Sequence, residues 1–154
     1  MSDFTPTITV TNDPPEGTKL WVERIAPRVY VGRNERGGQI LIGPADSGID
    51  GVFGPGELLK LALAGCAAMT ADSRVSDILG PDTPVTVAVD TTKHESVDRF
   101  DHFYEKFIVD ASALDDETRA KFADRVERAI ARGCTVGLTI SNGAEIDLEF
   151  VQPD

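Results

Sequence analysis

Cysteine is scarce in this chain, two among 154 residues, and so are histidine, with two, and tryptophan, with one. Two thiols cannot build a multi-bridge disulfide scaffold, and with only His94 and His102 to help them Cys66 and Cys134 make a poor zinc site. Long apolar runs are missing as well. The longest, Leu58 to Ala71 interrupted by Lys60, falls well short of the ~20 residues that span a bilayer. Positive charge is in deficit: Lys+Arg 15 against Asp+Glu 26 leave a net charge of -11. Nucleic acid requires a basic face and an anionic membrane attracts one, so neither is an expected partner. The opening Met-Ser-Asp-Phe-Thr lacks the basic and apolar regions of a secretory signal, which makes the cytoplasm the expected compartment.

What is present suits a globular protein. With 41% hydrophobic and 27% charged residues, and a length within the usual range of one domain, a single domain over residues 1–154 is expected. Segments rich in β-branched and aromatic residues come first: Thr7 to Thr11, Leu20 to Ile25, Arg28 to Val31 and Gln39 to Ile42. Pro27 and the Asn34 to Gly38 turn punctuate them, as in an antiparallel meander. Gly43 to Gly56 carries too much glycine and proline for a helix or strand and reads as a loop.

Pro55 suits a first helical turn, and the helix it opens should run to Ser73 or beyond, stopping by Gly80-Pro81. Two longer strands follow, Pro84 to Glu95 and Asp101 to Ala111, the first with Val85, Val87 and Val89 in period two. A second helix begins near Asp115, with Phe122, Val126 and Ile130 on one face, and Gly133 ends it. Local rules then make Thr135 to Val151 a hairpin about Asn142-Gly143.

The thiols carry the most interesting chemistry. Cys66 lies about three turns into its helix, too far from that helix's own N-terminus for the dipole to acidify it. A reactive Cys66 therefore needs another source of thiolate stabilisation; the competing reading is a small core residue in an alanine-rich helix. Cys134 sits just past a helix stop, beside a glycine that permits close approach, where another thiol can reach it. His94 and His102 lie in strand-like segments with no local motif of a Cys-His hydrolase.

The segment Gly54 to Thr70, with Pro55, Glu57, an aliphatic and alanine-rich run and then Cys66, resembles the cysteine helix of the OsmC/Ohr family. Gly133-Cys134-Thr135-Val136, followed by Ser141 to Ile146, is similar to that family's second cysteine motif and final strand. Arg99 to Phe103 leading into Phe107-Ile108-Val109 resembles the strand before its penultimate helix. The similarity spans about Arg33 to Phe150.

That resemblance implies an α+β fold of the OsmC-like type, an N-terminal meander, a central cysteine helix and a second sheet with a further helix, forming an intertwined homodimer. It also implies thiol-dependent reduction of hydroperoxides, with no cofactor: Cys66 attacks, Cys134 resolves, and an external dithiol recycles the disulfide, a lipoyl group being the candidate partner. An arginine from an N-terminal strand or loop stabilises the thiolate in this family; Arg33 is the best match, with Arg36 in reserve. A glutamate of the cysteine helix holds that arginine.

Two departures stand out. In organic-hydroperoxide-type members the glutamate directly follows the proline, whereas here Gly56 does and Glu57 comes next. A residue ten places before the cysteine lies ~80° from it round the helix, and one nine places before lies ~180° away. Glu57 can reach an arginine from an altered loop or serve the helix start. Position 135 is threonine where many relatives have proline. The family also favours a short helical turn and one strand after Cys134 over the hairpin. The alternative function is a non-catalytic dimer that binds a small apolar molecule on the same scaffold, which Gly56 favours.

Overall fold

The computed structural model describes residues 13–152, so the expected strand Thr7 to Thr11 lies outside the described residues. The element order is β1 (Leu20–Ala26), β2 (Val29–Asn34), β3 (Gln39–Ile42), α1 (Pro55–Leu79), β4 (Val85–Lys93), β5 (Phe100–Val109), α2 (Asp116–Gly133) and α3 (Thr135–Asn142). This is the α+β order expected. The described residues divide into two compact units, one of residues 13–58 with 147–152 and one of residues 59–146.

The first unit contains an antiparallel meander in the order β1-β2-β3. Ile25, Ala26, Val29 and Val31 form its buried core, with Leu41 and Ile49 packed against them. The β2–β3 turn is held by Asn34, whose Oδ1 accepts from the amides of Arg36 at 3.0 Å and Gly38 at 2.8 Å. Such a side-chain-to-backbone closure is what asparagine contributes to turns.

Helix α1 starts where the sequence places it, and Glu57 explains how. Gly54 precedes Pro55 as the capping residue, and its amide donates to Glu57 Oε2 at 2.7 Å. This is the return half of a capping box, which requires the glutamate at the third helical position. A carboxylate at position 56 would sit one place too early for that bond. At the other end Gly80, at φ 107, donates to Ser76 O at 3.0 Å and stops the helix.

In the second unit, β4 and β5 form a long antiparallel pair running from Val85 opposite Val109 to Lys93 opposite Phe100. Ala71 and Val75 of α1 meet Phe122 and Val126 of α2 in a buried cluster, joined by Val85, Phe107 and Val109 from the strands. The spacing of Phe122 and Val126 puts both on one helical face, and the opposite face carries the charges. Asp115 caps α2 by accepting from the Thr118 amide at 2.9 Å.

The region after Cys134 departs from the local expectation. Thr135 to Ile140 is not a hairpin strand but most of α3, so the helical choice that the resemblance implies is the one observed. Its residues include β-branched Thr135, Val136, Thr139 and Ile140, so propensity alone opposes a helix here. Tertiary packing overrides it: a Cβ on Gly137 would lie 3.6 Å from Leu63 Cδ1, which shows how closely α3 approaches α1. The closing strand expected over Ala144 to Val151 is not formed, because among the described residues that segment pairs with no strand. Its alternating Ile146, Leu148 and Phe150 are exposed, at 91%, 82% and 90%.

Truncating Phe122 to alanine should destabilise the fold by ~3–5 kcal/mol, because the ring fills the junction of α1, α2 and the β-pair. Exposed Lys121→Ala should change stability by less than ~0.5 kcal/mol. Urea unfolding followed by circular dichroism checks both, and equal midpoints for the two variants would contradict this account of the core.

Candidate functional site

The two cysteines, 68 positions apart by their numbers, come together where α3 begins. Cys66 lies in the middle of α1 and is partly accessible, whereas Cys134, between α2 and α3, is buried at 2% exposure; both are free thiols. Each side chain shifts the other's pKa, which places the two thiols within interaction range of one another.

Cys66 gains its thiolate stabilisation from a helix terminus, though not that of its own helix. The backbone amides of Val136 and, more weakly, Thr135, in the first turn of α3, favour the charged form of its sulfur. Together with the Cys134 thiol they outweigh partial burial and hold the Cys66 pKa below the ordinary cysteine value. The first amides of a helix have no partner within it and carry its positive end, so a thiolate placed there is favoured. Thr70 adds a hydroxyl from one turn further along α1. It donates to Cys66 O at 2.7 Å, and its single proton can serve either that carbonyl or the sulfur at one time.

Cys134 is polarised the opposite way. Burial, first, and then the neighbouring Cys66 raise its pKa, and the Glu105 carboxylate adds to the same direction. Its sulfur caps α3 by accepting from the Gly137 amide at 3.3 Å. Only glycine fits comfortably at 137, since a Cβ there would come within 3.2 Å of the Cys134 sulfur. One thiol is thus partly accessible with a lowered pKa, and the other is buried with a raised one.

Cys66 opens into a groove of about 530 Å³ lined by Leu61, Ala62, Gly65, Met69 and Thr70. These positions recur at three and four along α1 and form one face. The face is apolar apart from the Thr70 hydroxyl and the thiol itself.

Arg33 and Glu57 belong to the first unit. Arg33 Nε donates to Glu23 Oε2 at 2.9 Å, and Trp21 Nε1 donates to the other oxygen of Glu23 at 3.1 Å. These donors, Trp21 first, lower the Glu23 pKa. The pairing register sets Trp21 opposite Arg33 across β1 and β2, so all three side chains share one face of the sheet. The carboxylate that holds Arg33 is therefore Glu23 of β1, where the resemblance implies a glutamate of the cysteine helix; Glu57 is taken up by the Gly54 amide. Arg36 lies in the exposed β2–β3 turn.

Both histidines are occupied away from the thiols. His94 Nδ1 accepts from the amides of Ser96 at 3.2 Å and Val97 at 3.1 Å, and the His102 ring stacks on Tyr104 with centroids 4.3 Å apart.

The sequence profile described as OsmC-like protein matches residues 48–149, the stretch that holds both cysteines. The chain belongs to the OsmC-like family. Uncharacterized proteins of Mycobacterium tuberculosis and Mycobacterium bovis are each 40% identical to it over 134 residues, covering 87% of this chain and 96% of theirs. The fold is shared with the organic hydroperoxide resistance protein OhrB of Bacillus subtilis, at TM-score 0.52 and 18% identity over 81% of this chain and 93% of that one. It is shared too with a hypothetical protein from Aquifex aeolicus, at TM-score 0.61 and 13% identity over 82% and 89%.

Sequence reasoning missed three contributors to this OsmC-like site: the amides of Thr135 and Val136, and Glu105. The amides have no side-chain signature. Glu105 lies in β5, well before Cys134 in the sequence, and acts on it only through the fold.

Thr135→Pro removes one of the amides while fitting the first position of α3, since Cys134 before it is already extended at φ -76, ψ 96. Stability should stay within ~1 kcal/mol of the parent. The Cys66 pKa should rise, because the thiolate loses a donor and the thiol does not. The pH profile of iodoacetamide labelling at Cys66, read by mass spectrometry, checks this: its inflection should move to higher pH, and an unmoved inflection would contradict the role of the amide.

Proposed function

We propose that this chain is a thiol peroxidase that reduces organic or hydrogen peroxides, acting in the cytoplasm as a homodimer. The observation that carries the reading is the placement of the pair: a partly accessible Cys66 that opens into an apolar groove, with its pKa lowered, beside a buried Cys134, with its pKa raised. In the first step the Cys66 thiolate attacks the peroxide O–O bond. A Cys66 sulfenic acid forms, the leaving oxygen takes up a proton, and an alcohol or water departs. In the second, the Cys134 sulfur attacks the sulfenic acid, water leaves with the Cys134 proton, and a disulfide joins the two residues. An external dithiol, of which a lipoyl group is the candidate, returns both to thiols.

The apolar lining of the groove favours an organic hydroperoxide over hydrogen peroxide, since burying an alkyl group there stabilises binding by about 0.8 kcal/mol per methylene. Arg33 is assigned as the guanidinium that meets the developing negative charge, with Glu23 orienting it and Glu57 fixing the start of the cysteine helix. A second copy of the chain is the proposed cover for exposed Met69, Ile146, Leu148 and Phe150.

Peroxide consumption with cumene hydroperoxide and dihydrolipoamide tests the assignment. Cys66→Ser should fall to the rate without enzyme, and Cys134→Ser should accumulate a dimedone adduct at Cys66. Equal rates for the parent and Cys66→Ser would sink the peroxidase reading. The open groove also supports a second reading, a non-catalytic dimer that holds a small apolar molecule beside Cys66. In that case no dimedone adduct forms in any variant, and a ligand co-purifies.

A further inference from the structure

Four arginines meet in one groove of the second unit, on a chain whose net charge is -11. The groove encloses about 460 Å³ between α1 and α2 and is lined by Arg74, Arg125, Arg128 and Arg132 with Thr70, Ala129 and Gly133. Arg125, Arg128 and Arg132 follow one another at intervals of three and four, so they form a single stripe of α2, and Arg74 faces them from α1. Small residues make the room: Ala129 lies within the stripe, and Gly133 lets the end of α2 approach α1, since a Cβ there would come 3.0 Å from Thr70 Cγ2.

The charges in this groove are not balanced from within. Arg128 pairs with Asp124, and Arg74 Nη1 donates only to the Ser73 hydroxyl at 2.8 Å. Among the described residues, Arg125 and Arg132 have no carboxylate partner. Three arginines outside the groove are neutralised, Arg33 by Glu23, Arg99 by Asp101 and Arg119 by Asp116. Three guanidinium groups without a carboxylate partner among the described residues, Arg74, Arg125 and Arg132, repel one another beside this cavity, and an anion seated among them removes that repulsion. Guanidinium groups present a planar fork that matches phosphoryl and carboxylate oxygens two at a time.

The lining also specifies the shape of the ligand. It holds no aromatic ring on which a base could stack, and only Ala129 offers an apolar contact. The acidic chain as a whole repels an extended polyanion.

We infer that the groove between α1 and α2 binds a compact small molecule bearing several phosphoryl or carboxylate groups. This site adjoins the apolar groove at Cys66 but has its own lining of arginines and does not depend on the peroxidase reading. Thr70 lines both grooves.

Isothermal titration calorimetry of the full chain at low ionic strength, with pyrophosphate and with citrate as probes, tests the inference and distinguishes the two ligand chemistries. At least one probe should bind with one site per chain, and raising the salt should weaken it. The double variant Arg125→Gln/Arg132→Gln should weaken binding at least ~10-fold, as loss of paired charges does. Lys19→Ala/Arg24→Ala, an equal loss of charge on exposed positions of the other unit, should leave it unchanged. Circular dichroism of both variants verifies that they fold. If neither probe binds, or if both variants weaken binding equally, the proposal is overturned.

Discussion

The start of α3 against the middle of α1 is the contact on which the candidate site depends. Its free amides face the sulfur of Cys66, and a thiolate there replaces the partner that the helix cannot give them. The same turn fixes Cys134, because that residue is at once the end of α2 and the cap of α3. Had Thr135 to Ile140 formed a strand, the amides would have paired along a ladder and the two sulfurs would have lost their common support. Gly137 and Gly133 allow the approach by lacking a side chain where the helices press closest, one against the Cys134 sulfur and one against Thr70.

This arrangement divides labour between two chemically identical side chains by environment alone. Cys66 accepts hydrogen bonds and meets solvent, so its charged form is favoured; Cys134 is buried beside a second sulfur and Glu105, so its neutral form is favoured. Each effect reinforces the other, since a protonated Cys134 donates to a deprotonated Cys66. The first unit repeats the principle with a different pair: Trp21 and Arg33 together keep Glu23 ionised, and Glu23 in turn fixes the guanidinium.

Much of the fold was legible because its signals are local. Pro55 with Glu57, Asp115 with Thr118, and Gly80 and Gly133 mark helix ends by chemistry that acts over a few residues, and the observed boundaries fall there. The strands of the first sheet were readable from β-branched and aromatic residues between turn signals, and β4 from period two. The segment after Cys134 was less so: its β-branched residues signal a strand, and the packing that makes it a helix comes from Leu63, far away in sequence. The closing strand shows the reverse limit. Ala144 to Val151 has the right alternation, yet among the described residues no neighbouring strand takes up its hydrogen bonds.

The sequence by itself determined the types of residue available for chemistry, two thiols and few cations in an acidic chain, and the helix that carries Cys66. It also placed Glu57 at the position where a carboxylate closes the start of that helix. Only the tertiary structure decided which groups stabilise the thiolate, because backbone amides are the same in every sequence and acquire meaning only from where a fold aims them. It likewise decided that Arg33 pairs with Glu23 across two strands and that four arginines from two helices share one groove. Charge interactions act through space, and the distances that set them are fixed by packing rather than by order along the chain.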